Sequence, residues 1–220
     1  MAPLDHLLPT LPTLERLALA YAPRSARDPW LAFLALDARL ASLLRSASEP
    51  MLAQLRLAWW RETLGGAAHW PAGDPVLAAL GSWRGRHAAL VPLVEGWEAL
   101  TAAPPLEARA MTELAQGRSR ALAALAKILG EAGSAPAARQ LATDWSLADL
   151  AMRLSRPDER DLAASLAKGA AGPVPRVPRA LRPLAVLRAL SWRRLRRDDE
   201  AAARSPAALA VAMRAGLFGR

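Results

Sequence analysis

The stretch LRLAWWRETLGG, residues 55–66, sets Trp59 and Trp60 side by side between two arginines and then stops at a glycine pair. Adjacent residues on a helix point about 100° apart, so both indoles can be buried only where the helix is covered on more than one side. That is the situation of a central helix in a multi-helix bundle. Arg56 and Arg61, flanking the pair, suit a polar edge that reaches a cleft. Leu52, Leu55 and Trp59 recur at i, i+3 and i+7, which predicts a helix over about Pro50 to Leu64.

The rest of the chain reads the same way. Asp28-Pro29, Glu49-Pro50, Asp74-Pro75 and Ser205-Pro206 each precede an alanine- and leucine-rich run. An acidic or hydroxyl residue there accepts from free N–H groups, and proline tolerates the first turn because its missing donor is not needed. Glycines at 65–66, 130 and 133 supply stops. Helices are expected at about Pro29–Arg45, Pro75–Ala89, Val91–Leu100, Leu106–Leu129, Ala135–Leu154, Asp158–Lys168, Pro178–Arg197 and Pro206–Leu217. The first of these carries Leu36, Leu40, Leu43 and Leu44 as one apolar stripe, with Asp37 near its middle. Period-two runs are absent, so no strand is predicted. GAAGPVPRVP, residues 169–178, is too rich in proline and glycine for either element and reads as an extended connector to a basic C-terminal helical pair. No repeat of 20 to 50 residues is visible. The expected fold is therefore all-α, one multi-helix bundle over residues 1–220.

Composition bounds the function. The chain has 220 residues, 53 % of them hydrophobic, enough for a large core, and no cysteine, so disulfides and cysteine-based zinc sites are excluded. His6, His69 and His87 are too scattered for a histidine metal centre. No basic leader precedes an apolar core at the N-terminus and no run approaches the ~20 apolar residues of a membrane span, so a soluble, cytoplasmic protein without a cleaved signal is expected. The net charge of +9 is carried almost wholly by arginine. It reflects either compositional drift or an anionic partner: diphosphate, phospholipid headgroups or nucleic acid. Nucleic acid ranks last, for want of a helix-turn-helix, a zinc motif or an aromatic sheet platform. Walker, GxGxxG and nucleophile-elbow motifs are missing too.

The run LAFLALDARLASLLRSASEPMLAQLRLAWWRETL, residues 31–64, resembles the squalene/phytoene synthase family, whose members join prenyl diphosphates head to head within an all-α isoprenoid-synthase bundle. LAQGRSRALAALAKILGEAG (114–133) is similar to the family's mid-chain helix. LATDWSLADLAMRLSRP (141–157) stands where its second carboxylate helix would fall, and the C-terminal helices look like the ends of small bacterial members of unassigned activity. The resemblance implies a cleft that binds an isoprenoid or lipid chain, lined by residues such as Phe33, Trp59 and Trp60, with Arg56, Arg61 and Arg153 as diphosphate-binding candidates.

Active members hold magnesium with two aspartates four apart on each of two facing helices, because magnesium takes one or two carboxylates plus water and substrate phosphate. This chain departs from that pattern on both helices. Asp37 has Ala41 four residues on and Phe33 four residues back. Asp144 and Asp149 are five apart, which turns them about 140° from one another on an ideal helix. Arg153 stands at i+4 from Asp149, where an ion pair is expected, and Leu154 occupies the place of a family aspartate. Asp37, Asp144 and Asp149 are thus weak metal candidates, and Asp37 is the one catalytic candidate. The expectation is a family shape without its metal clamp and without a cofactor: a binding or assembly-factor-like protein with an isoprenoid, lipid or protein partner, as in a degenerate relative that assists assembly of respiratory complex I. The alternative is an active prenyltransferase with a rebuilt magnesium site.

Each candidate has a plainer reading. An acid within a leucine-rich helix costs desolvation unless paired, so Asp37 either faces a wet cleft or meets Arg56 or Arg61. Tyr21 suits helix packing. His87 suits a helix C-terminus, and the acids of PDERD, Asp158, Glu159 and Asp161, suit their own helix dipole. SWRRLRR, residues 191–197, places Trp192 beside Arg193, Arg194, Arg196 and Arg197. It either lies on an anionic membrane, making this a peripheral membrane protein, or forms a solvated helix end paired with Asp198–Glu200.

Overall fold

The computed structural model describes residues 5–46, 49–66, 70, 73–197 and 205–219. They form an all-helical bundle, with no strand among them. After a 3-10 turn at Asp5–Thr10 come α1 (Thr13–Leu19), α2 (Arg24–Ser46), α3 (Pro50–Gly65), α4 (Pro75–Ala79), α5 (Val91–Ala99), α6 (Ala108–Ile128), α7 (Ala135–Ala151), α8 (Pro157–Ala170), α9 (Arg182–Arg197) and α10 (Pro206–Phe218). No described helix is long and apolar enough to cross a membrane. α6 lies against α5 on one side and α7 on the other; α7 in turn packs on α8 and α9, and α10 covers α9.

The proline signals have unequal outcomes. Asp74 accepts from the Val76 and Leu77 amides at 2.8 and 3.1 Å, and Ser205 Oγ accepts from Ala208 N at 3.2 Å, so both cap as expected. Asp28-Pro29 does not start a helix. α2 begins at Arg24 and Pro29 lies inside it, while the Pro29 carbonyl accepts from the Trp83 indole at 3.1 Å. The helix expected over Pro75–Ala89 is broken: it tightens to a 3-10 turn at Leu80–Trp83, passes through left-handed Arg84 and Gly85, and resumes as a 3-10 turn at His87–Leu90. His87 therefore opens a turn instead of closing a helix, and stacks edge-on against Trp70 at 4.6 Å. Residues 169 and 170 complete α8, so the extended connector is 171–178. It is tied down along its length, with Gln140 donating to the Pro173 carbonyl at 2.8 Å and Val177 N donating to Gly219 O at 3.0 Å.

The tryptophan pair resolves differently from the expectation. Trp60 is buried, but Trp59 is 41 % exposed and meets Trp60 edge-on at 5.1 Å. α3 is an outer helix: its inner face is Ala53, Leu57, Trp60 and Leu64, while Met51, Leu52, Leu55 and Trp59 stand in solvent. The central helices are α2, α6 and α7, whose apolar stripes are almost wholly buried.

Candidate functional site

Asp37 marks the middle of the bundle. It is 4 % exposed and meets neither a cleft nor Arg56 or Arg61. Its partner is Arg118 of α6, a residue the sequence reading did not single out. Arg118 Nε donates to Asp37 Oδ1 at 3.0 Å and Nη2 to Oδ2 at 2.8 Å, a bidentate fork. The remaining Nη1 reaches Asp149 Oδ2 of α7 at 3.3 Å and Ser146 Oγ at 3.4 Å. The guanidinium lies over the Trp145 ring at 4.4 Å and the Trp97 ring at 5.1 Å. Trp97 also donates its indole N–H to Asp37 Oδ1 at 2.8 Å. One arginine thus clamps three helices, α2, α6 and α7, and a fourth, α5, through Trp97.

Two glycines make this assembly possible. A Cβ at Gly117 would collide with the Pro92 carbonyl, and one at Gly96 would stand 2.8 Å from Leu114 Cα, so α5 and α6 cross with their backbones in contact. Each glycine immediately precedes a clamp residue, Trp97 or Arg118.

The network extends outward. Arg153 donates from Nε to Asp149 Oδ2 at 2.7 Å, the expected i+4 pair, and from Nη2 to Glu15 Oε1 of α1 at 2.7 Å. Arg194 of α9 approaches Asp149 Oδ1 at 4.0 Å. Three buried acids, Glu15, Asp37 and Asp149, face three arginines, which is the balance burial of charge requires. Asp144, turned away from Asp149 as its spacing implies, pairs instead with Arg188 of α9 at 3.0 Å. Burial pushes the Asp149 carboxyl up, but Arg153 and Arg118 outweigh it and leave it below the ordinary aspartate range. Burial raises the Asp144 carboxyl, with Arg188 opposing. Burial likewise raises Glu15, opposed by Arg153 and reinforced by the negative charge of Asp149.

A carboxyl held up in the folded state binds more protons there than in the unfolded chain, so its contribution falls as pH rises between the two pKa values. Glu15→Gln removes that penalty. The variant should gain stability relative to wild type as pH climbs from 4 through the raised Glu15 pKa, as read by urea denaturation across that range. A difference that does not vary with pH would count against it.

The other candidates fall apart spatially. Phe33 is fully buried, edge-on to Trp30 and Trp145 at 6.1 and 6.5 Å. Arg61 pairs with Glu98 at 2.8 Å on the surface, and Arg56 is exposed. Tyr21 packs its ring on Gly216, as a helix-packing residue should. Asp158 pairs with Arg156 at 2.8 Å, but buried Glu159 accepts from the Leu106 amide at 2.8 Å, holding the loop before α6 and not its own helix. Trp192 is 8 % exposed with Arg188 over its ring at 5.6 Å, so it is wall rather than surface. Arg196 and Arg197 are exposed. His69 and Asp198–Glu200 lie outside the described residues.

Magnesium does not fit these acids. Both Asp37 oxygens and Asp149 Oδ2 accept from arginine, and a guanidinium fills the space between the two carboxylates where a bridging cation would sit. Among the described residues no group of three or more His, Asp or Glu gathers in a metal-binding arrangement. No known family, no curated protein and no solved structure matches the chain.

Proposed function

We propose that this chain is a squalene/phytoene synthase-like bundle of the isoprenoid-synthase type that has exchanged diphosphate chemistry for a structural ion network, and that it works as a binding or assembly-factor-like protein. The observation that carries the reading is Arg118, which joins Asp37 to Asp149 across the bundle axis with its own positive charge. Ionising an allylic diphosphate requires cations that are free to hold the leaving anion. Here the central guanidinium is spent on two carboxylates and packed over two indoles. A partner, whether isoprenoid, lipid or protein, would then engage the outer faces of the helices, because the interior beside Asp37 is filled by aromatic and ionic side chains.

The test is direct. Pure protein incubated with farnesyl or geranylgeranyl diphosphate and magnesium should release no pyrophosphate above the protein-free rate, and Asp37→Asn should not change the trace. Release that disappears in Asp37→Asn would overturn the proposal and restore the active prenyltransferase.

A further inference from the structure

α10 is built inside out. Its buried face is Ala208, Ala212, Ala215 and Gly216, the smallest side chains available, and its largest apolar residues face solvent. Leu209, Met213 and Leu217, at i, i+4 and i+8, form a stripe, each about half exposed, and Phe218, 53 % exposed, stands about 100° further round the helix. A helix whose only duty was to pack on α9 would turn leucine inward and alanine outward.

The charge around this stripe is one-sided. From Leu162 to Gly219 the sequence carries eleven basic residues against three acids, Asp198, Asp199 and Glu200, which lie outside the described residues. A groove of about 730 Å³ between the connector, α9 and α10 counts Arg196, Arg214, Val174 and Phe218 among its lining. Val174 is 40 % exposed. Exposed aliphatic and aromatic groups flanked by arginines, in a segment where basic residues outnumber acids, complement an anionic bilayer: the stripe enters the acyl boundary while the guanidiniums meet lipid phosphates. The helix is already folded against α9, so membrane binding pays no coil-to-helix cost. The exposed face of α3 lacks this asymmetry, since Glu62 shares it with Arg56.

We infer that α10 is an interfacial membrane helix, docking the protein on anionic phospholipid through Leu209, Met213, Leu217 and Phe218 with Arg196 and Arg214 on the headgroups. The inference goes beyond the non-catalytic reading and stands whether or not that reading does. It also relocates the apolar anchor from the Trp192 expected by sequence to α10.

The experiment is flotation of the full chain with phosphatidylcholine vesicles, with and without one quarter phosphatidylglycerol. Wild type should float with the anionic vesicles only, and release in 1 M salt, where charge screening acts within about 3 Å. Arg196→Gln with Arg214→Gln should weaken binding about 30-fold at low salt. Met213→Ser with Leu217→Ser should weaken it by about 30-fold or more, with unchanged helical circular dichroism and Tm, because both residues are exposed. Leu55→Ser on α3 should bind as wild type. With no native cysteine, Leu217→Cys carrying a polarity-sensitive fluorophore gives a second reading, a blue shift on anionic vesicles. Failure to float, floating that ignores lipid charge, α10 variants that bind as wild type, or a concentration-dependent dimer lost in Met213→Ser/Leu217→Ser without any vesicle binding would each overturn the inference.

Discussion

Replacing Arg118 by methionine should destabilise the protein by about 3 to 5 kcal/mol, the cost of removing one partner from a buried ion pair. Methionine keeps much of the volume, so cavity formation adds little; the loss comes from charge. Asp37 would keep only the Trp97 indole, at 4 % exposure. Asp149 would fare better, since Arg153 and Arg194 remain beside it. For a chain of this length the change corresponds to a fall in Tm of roughly 10 °C. Lysine should rescue little, because a point charge cannot make the bidentate fork and keep the guanidinium's contacts with two indole rings.

The same logic gives the decisive control. If the clamp is a structural network, Asp37→Leu with Arg118→Met should recover most of the loss and come within about 2 kcal/mol of wild type, the residue being an unpaired Trp97 N–H. If Asp37 were instead kept for chemistry, the double variant would lose an activity that neither stability measurement reports. Urea denaturation of both variants, followed by tryptophan fluorescence, reads the recovery, and the pyrophosphate-release assay on wild type and the double variant separates a network held for packing from one held for catalysis.

How much of this was readable beforehand depends on what each residue's neighbours in sequence could reveal. The helices were, because capping residues, prolines and leucine stripes act locally; eight of the expected segments correspond to described helices, with Pro75–Ala89 broken where Arg84 and Gly85 turn left-handed. Asp37 stands out in the sequence because a charge in an apolar stripe must be satisfied somewhere. Its partner lies 81 residues away and no local rule points to it. Yet α6 held the matching signal: Met111, Leu114, Ala115, Leu122 and Leu125 are its buried stripe, and Arg118 stands in the middle of it. Two charges of opposite sign, each alone on an apolar face, were the pair. Trp59 and Trp60 misled for the converse reason. The sequence expectation buries both indoles in a helix covered on more than one side, whereas α3 carries apolar groups on both faces and the bundle covers only one.

Gly117→Ala should destabilise by about 2 kcal/mol net, although alanine is the better helix former. Intrinsic propensity favours alanine by roughly 1 kcal/mol within a helix. Against this, the new Cβ strikes the Pro92 carbonyl, a backbone atom that no rotamer change can move. Forcing extra volume into such a contact costs about 3 kcal/mol, so sterics win. Gly169→Ala is the matched control: it lies in the last turn of α8 with nothing near its Cβ position, and should stabilise by about 0.5 to 1 kcal/mol. Opposite signs from the same substitution would show that α5 and α6 are held in backbone contact. The consequence reaches the ion network, because separating these helices lifts Trp97 from the Arg118 guanidinium and from Asp37, and near-ultraviolet circular dichroism should lose intensity in Gly117→Ala but not in Gly169→Ala. Two alanines of the same sign would mean that the crossing is looser than the geometry of Gly96 and Gly117 requires, and that the clamp does not depend on it.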